Sequence, residues 1–210
     1  MSRVPIDPAG WPFIGAALGL AIASGVFLSS WLAAAFTIAT GFFLFFFRDP
    51  DRMVAAGDDG VISPADGRVM IAGRAEEASP EGAWQQISIF LSPMDVHVNR
   101  VPVSGRITRV SYRPGRFLPA YKHAAATDNE RSEIWIDHGG QTIVARQIVG
   151  VLARRVVCRV TPGVEVRAGD RYGVMKFGSR MDVFLPMSAE IRVKPGDLVR
   201  GGETIMAVLH

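Results

Sequence analysis

Gly178-Ser179 sits in the stretch MKFGSRMDVFLP (175–186), between two apolar runs of strand character. Gly-Ser is a common turn dipeptide. It is also a pair able to form a peptide bond cut from within. A serine hydroxyl attacks the preceding carbonyl only when the peptide is bent. Glycine, without a Cβ, admits the unusual φ/ψ and the close nucleophile. His97 lies in LSPMDVHVNRVPVSG (91–105). Imidazole titrates near neutrality, which makes His97 a candidate proton donor; a strand-edge histidine bonded to backbone is the plainer reading. Asp66 lies in SPADGRV (63–69). Its carboxylate can orient or accept a proton, and Ala-Asp-Gly is equally a good turn, with Ser63 as its cap. Asn99 and Arg100 follow His97 and can hold a carboxylate or a phosphate. His123, His138 and His210 are scattered, without the close spacing of a zinc site. No metal is expected.

The elements that must position these residues are short. From about residue 51, Gly and Pro punctuate runs rich in Val and Ile, which reads as all-β. The spacing predicts strands at 67–72, 84–91, 107–112, 133–137, 142–148, 156–160, 172–177, 181–185, 190–193 and 204–209. No amphipathic helix is expected among them. The longest stretch without strand pattern, 113–131, carries Arg116, Phe117, Leu118, Tyr121 and Lys122. Long loops in compact domains are often functional. Arg106, Arg109, Arg113 and Arg116 are candidates for a phosphodiester, which Arg pairs by two hydrogen bonds; a solvated basic face is the alternative. Two internal echoes stand out. Residues 166–177 match 193–209 on V-[RK]-x-G-D, and 63–73 and 102–115 look like related hairpin pieces. Such turns are similar to those of biotinyl and lipoyl carrier domains. The expected fold is mainly β, a barrel-sandwich-hybrid-like domain over 51–210, behind a hydrophobic helical hairpin over 1–50. The carrier lysine is missing from the tight turn.

That hairpin is expected because residues 11–47 contain no charge. The stretch is long for one span and suits two short ones, 11–28 and 31–47, turning at Ser29-Ser30. Each makes roughly 26 Å of helix at about 1.5 Å per residue. Trp11 and Trp31 suit interfacial anchoring, and Arg3, Arg48 and Arg52 flank the pair on one side. Charge bias makes that side cytoplasmic, so the chain is expected on the cytoplasmic face of the cell (inner) membrane. A cleaved signal peptide fits less well, because no small-residue cleavage site precedes Arg48. The net charge of +3 gives no reason to expect nucleic acid. Arg outnumbers Lys, 20 to 3, and the single Cys158 excludes an internal disulfide.

Taken together, SPADGRV, LSPMDVHVNRVPVSG and FGSRMDVFLP behind an apolar anchor resemble the phosphatidylserine decarboxylase family, in its short bacterial and archaeal form. The resemblance runs from the anchor to KPGDLVRGGETI near the C-terminus. It implies a pyruvoyl enzyme of phospholipid biosynthesis that converts phosphatidylserine to phosphatidylethanolamine. Its covalent pyruvoyl group would form from Ser179 after cleavage at Gly178-Ser179. The protein would then be a heterodimer of its own two chains. Ser179, His97 and Asp66 would be catalytic. His97 would protonate the substrate α-carbon after CO₂ leaves, and Asp66 would help to activate Ser179. Asn99, Arg100, Arg113 and Arg116 are the substrate-binding candidates, and Phe117, Leu118 and Tyr121 could dip into the membrane interface. The longer forms of the family carry a second His three residues after the first. Here that position is Arg100, which stays protonated and is no general base. A full Asp-His-Ser triad therefore does not transfer. An archaetidylserine-type lipid is an alternative substrate, and a membrane-anchored carrier-like adaptor is the non-enzymatic alternative. A zinc peptidase would need a second nearby His.

Overall fold

The computed structural model describes residues 6–54, 57, 59–75, 79–151, 156–176 and 178–210. Arg3, and Phe177 at the end of the expected strand 172–177, lie outside them. The chain divides into two compact units, Met1–Asp51 and Arg52–His210.

The first unit is a helical hairpin of α1 (Trp11–Phe27) and α2 (Ser30–Phe46). The turn falls where the serine pair predicted it. Ser29 caps α2, its hydroxyl accepting from the Leu32 N–H at 3.4 Å. The open ends are tied together, since Asp7 N–H donates to the Phe47 carbonyl at 2.8 Å and Ile6 bridges Arg48. Phe13 packs on Phe43 and Phe47 with ring centroids 5.6 and 5.5 Å apart. Trp31, Phe27, Ile38 and Leu28 point outward, exposed. One helix, Pro8–Phe27, is long and apolar enough to cross a membrane by length and composition; α2 is shorter.

The second unit is mainly β and sandwich-like. In chain order its strands among the described residues are β1 (Gly60–Ile62), β2 (Gly67–Arg74), β3 (Gln85–Leu91), β4 (Val98–Arg100) and β5 (Gly105–Arg113). After a single helical turn α3 (Ala125–Asp128) come β6 (Arg131–His138), β7 (Gln141–Val149), β8 (Val156–Cys158), β9 (Glu165–Val166), β10 (Arg171–Met175) and β11 (Ser179–Leu185). The last three are β12 (Glu190–Ile191), β13 (Leu198–Val199) and β14 (Ile205–Val208). Each predicted strand has a counterpart. The unpredicted ones, β1, β4, β9 and β13, are two or three residues long, too short to show a period of two. An antiparallel eight-stranded sheet runs β13-β2-β3-β11-β7-β6-β5-β9. Smaller sheets β1-β14-β12 and β4-β10-β8 face it. One apolar cluster joins all three: Ile87, Ile89 and Leu91 of β3, Met181, Val183 and Leu185 of β11, Ile134 and Ile136 of β6, Met206 and Ala207 of β14, Tyr172 and Met175 of β10. Burying each large aliphatic side chain contributes roughly 1.5–3 kcal/mol.

The large sheet is built twice. Val69 N–H donates to the Asp197 carbonyl at 2.9 Å, and Ile107 N–H to the Val164 carbonyl at 2.9 Å. Gly202 N–H reaches the Ser63 carbonyl at 2.8 Å, and Gly169 N–H the Val101 carbonyl at 2.9 Å. SPADGRV (63–69) thus corresponds to VPVSGRI (101–107), and KPGDLVRGG (194–202) to TPGVEVRAG (161–169). The second correspondence corrects the expected echo by six residues. Each segment holds two glycine turns six residues apart, and the sequence pattern matched the second turn of one with the first of the other. The register carries the equivalence further. Val69 pairs Ile89 as Ile107 pairs Ile136, so Leu91 corresponds to His138. Leu91 pairs Ser179 and His138 pairs Gln141. Gly178-Ser179 is therefore the counterpart of Gly140-Gln141, the tight hairpin between β6 and β7.

Inside this core the Tyr172 phenol is fully buried, and burial, with Cys158 adding a smaller push, holds its pKa well above the usual tyrosine range. The unfolded chain ionises first. Stability is therefore full below about pH 10 and falls as pH climbs past it. Tyr172→Phe is expected to remove that alkaline slope from unfolding free energies measured between neutral pH and pH 11.

Candidate active site

Ser179 begins β11, the strand held by β3 on one side and β7 on the other. Gly178, just before it, has φ +69°, in the left-handed region that glycine enters without a Cβ clash. The Ser179 side chain alternates with Arg180 and shares the core face with Met181, Val183 and Leu185. It is wholly buried, and its Oγ has no hydrogen-bond partner among the described residues. A buried hydroxyl left unpaired costs about 1–3 kcal/mol, and active sites hold such groups.

The Gly178 carbonyl is backed closely by Gly150. A Cβ placed on Gly150 would lie 2.2 Å from the Gly178 oxygen and 3.1 Å from its carbon, so only glycine fits there. The same position packs 3.4 Å from Ala120, in the loop between β5 and α3. Asn129 pins that loop: its amide bonds the Leu118 backbone at 2.9 and 2.8 Å and donates to the Val149 carbonyl at 2.8 Å. Val149 pairs Ser179 in register. The long unpatterned stretch is thus the roof over the Gly178 carbonyl. Gly150 and Asn129 escaped sequence reasoning, because neither type signals a role on its own.

His97 comes to the same place. It is wholly buried, with Nδ1 2.9 Å from the Asp95 carbonyl. In that contact the Nδ1–H donates to the Asp95 carbonyl, which leaves Nε2 as an acceptor, 3.4 Å from the Gly178 N–H. The histidine stands at the residue whose carbonyl precedes Ser179, with a neutral face toward it.

Asp66 is positioned differently. Its Oδ1 accepts from Gly201 N–H at 2.7 Å, and its Oδ2 pairs with Arg52 at 2.9 Å. The first bond has a twin in the other half of the sheet, where Ser104 Oγ accepts from Ala168 N–H at 3.0 Å. One oxygen therefore serves a turn found in both halves, and the Arg52 pairing is particular to Asp66. No hydrogen bond joins Asp66 to Ser179 among the described residues. Arg100 is close by, its side chain against Gly202 and its Nη1 donating to the Gly169 carbonyl at 3.1 Å. Asn99 is buried and accepts from Gln147 Nε2 at 2.8 Å.

The remaining arginine candidates are not brought to Ser179. Arg116 is exposed and lies 3.8 Å from Asp128. Arg113 lines a separate cleft of about 550 Å³ with Arg109, Arg131, Glu133, Trp135 and Arg146. Glu133 pairs Arg146, which pairs Asp182, and Asp182 alternates with Ser179, so the cleft is on the opposite sheet face. Burial, then the neighbouring Arg146 and Arg113, lower the Arg131 pKa.

Comparison with known proteins shows the family. The phosphatidylserine decarboxylase family model matches residues 39–207. The chain belongs to the phosphatidylserine decarboxylase family. It is 42% identical to the phosphatidylserine decarboxylase proenzyme of Geotalea daltonii, over 99% of this chain and 98% of that protein. It is 43% identical to the proenzyme of Mycobacterium sp. strain KMS, over 98% and 88% of the two chains, and 40% identical to that of Nitrosomonas europaea, over 96% and 94%.

On the other face of β11, Arg180 donates to Asp182 at 2.6 Å and to Ser88 Oγ at 3.0 Å, all buried. This pair helps to fix the strand that carries Ser179. Arg180→Leu leaves the Asp182 carboxylate buried and unpaired and is expected to cost about 3–5 kcal/mol. The double variant with Asp182→Leu should recover most of that loss in denaturant unfolding.

Proposed function

We propose that this chain is a phosphatidylserine decarboxylase that matures by cutting itself at Gly178-Ser179. The observation that carries the reading is the buried, unpartnered Ser179 Oγ next to a left-handed Gly178, with His97 Nε2 3.4 Å from the Gly178 N–H. Ser179 Oγ attacks the Gly178 carbonyl and the peptide shifts to an ester. Loss of the Ser179 α-proton expels the Gly178 carboxylate by β-elimination. Hydrolysis of the resulting dehydroalanine releases ammonia and leaves a pyruvoyl group at the start of the 179–210 chain. Gly150 holds the carbonyl oxygen in place, and the neutral His97 face accepts a proton nearby.

The residues present fit this group. Ser179 Oγ, Asn99 Nδ2 and Gln147 Oε1 are all buried and unpaired. When formed, the pyruvoyl group supplies the electron sink through which the headgroup carboxylate leaves as CO₂. His97 then delivers a proton to the substrate α-carbon. Asp66, tied to Arg52 and Gly201, steadies the loop that leads into β2 and holds local charge during maturation. Asn99 and Arg100 face the headgroup. Arg116 and Lys122, on the roof loop with exposed Phe117 and Tyr121, suit the phosphates of a membrane surface. Arg113, on the far face, is left out of the substrate path. The apolar hairpin keeps the catalytic unit at the cytoplasmic face of the membrane. The two chains remain together as a heterodimer, because β11 is laddered on both edges.

The test is release of CO₂ from headgroup-labelled phosphatidylserine in mixed micelles, with phosphatidylethanolamine as product. Ser179→Ala should remain one chain and release none; a cleaved, active variant would sink the mechanism. His97→Ala should lose decarboxylation. Gly150→Ala drives a methyl group into the Gly178 carbonyl. Misplacement on the scale of 1 Å is expected to slow cleavage about 100-fold while the protein stays folded, as judged by the intact-chain fraction against time and by circular dichroism.

A further inference from the structure

Among the buried polar atoms without a partner, Asn99 Nδ2 and Gln147 Oε1 belong to one joined pair. Both side chains are wholly buried. Gln147 lies on β7 opposite Met181, two residues along β11 from Ser179 and on the same sheet face. Diagonal neighbours of this kind are about 7–8 Å apart, within reach of a long side chain. Asn99 lies two residues beyond His97, whose carbonyl continues the β4–β10 ladder by accepting from Met175 N–H at 3.2 Å. Two of the links among these residues are hydrogen bonds and two are neighbourhood along a strand or across the sheet. His97 touches the Gly178 N–H, Asn99 follows His97, Gln147 bonds Asn99, and Gln147 returns to the strand of Ser179. The crossing from large sheet to small is made possible by Gly173, where a Cβ would lie 2.8 Å from Gln147 Nε2.

A single hydrogen bond between two primary amides leaves one NH₂ group and one carbonyl oxygen with no partner. Turning both amides exchanges the roles and still leaves one of each. We propose that the Asn99–Gln147 pair recognises the amino-acid end of the substrate headgroup. Its free donor meets the carboxylate and its free acceptor meets an N–H of the α-amine. The contacts are complementary to an amine and a carboxylate on one carbon, and half of them are lost when the carboxylate is gone. Accepting an amine N–H also leaves the nitrogen lone pair to face the carbon derived from Ser179. The pair is a specificity device that discriminates serine from ethanolamine headgroups and so favours product release. This inference rests on the function proposed above and deepens it.

The test uses the full-length protein in detergent, with sn-glycero-3-phosphoserine and sn-glycero-3-phosphoethanolamine as competing soluble headgroups. Gln147→Met keeps the volume of the side chain and removes its amide; Asn99→Ala removes the other. Intact mass reports whether each variant still cleaves. The wild-type protein should prefer the serine headgroup, by the ratio of inhibition constants, about 10- to 100-fold. In each cleaved variant that ratio should fall toward one, with a larger rise in KM for phosphatidylserine than loss in kcat. A cleaved variant that keeps the wild-type ratio overturns the inference. So does failure of both variants to cleave, because the pair would then serve the cut rather than the headgroup. Failure of the decarboxylase reading has a different signature, a wild-type protein that neither cleaves nor releases CO₂.

Discussion

The antiparallel ladders on both edges of β11 govern the rest of the site. Ser179 pairs Leu91 on one side and Val149 on the other, so its backbone cannot shift without opening the centre of the sheet. The residue before it has no such freedom to continue straight, and turns through a left-handed Gly178. Gly150 then meets the Gly178 carbonyl from behind. Position, orientation and burial of the hydroxyl and carbonyl follow from these contacts before any charged group is considered. The buried Arg180–Asp182 pair acts on the opposite face of the same strand.

The doubled sheet bears on the proposed cut, which would leave the fold in place. In one half, Gly139-Gly140 closes a tight hairpin between β6 and β7. In the other, the equivalent strands β3 and β11 are far apart in sequence, and the chain between Leu91 and Ser179 contains the whole second half. The junction at Gly178-Ser179 occupies a hairpin position that no longer needs to be covalently closed. The proposed cut would leave β11, β13 and β14 paired to β3, β7, β2 and β1.

Much of this was legible in the residues because it rests on local patterns. Alternation found the long strands, and the serine pair found the turn between α1 and α2. The Gly-Ser and His97 motifs fall together in space, with His97 Nε2 3.4 Å from the Gly178 N–H. What stayed hidden depends on long-range approach. Gly150 matters only because β7 ends against Gly178. Gln147 reads as one of several polar residues in β7, beside Arg146, until Gly173 lets it cross to Asn99. The repeat was placed six residues out of register, since two similar glycine turns occur in each copy. Asp66 accepts from the distant Gly201 N–H, which its Ala-Asp-Gly context did not suggest, and its Arg52 partner, fourteen residues away, carries no sequence signal. The candidates Arg106, Arg109, Arg113 and Arg116 were chosen for their match to phosphate, and charge does not say which sheet face a side chain takes.

The central claim is that Gly178-Ser179 is a bond built to break, and the intact mass of the purified protein under denaturing conditions tests it most directly. The account predicts two chains, the smaller spanning 179–210 and beginning with a pyruvoyl group in place of Ser179. A single chain of 22.7 kDa in protein that decarboxylates phosphatidylserine would contradict it.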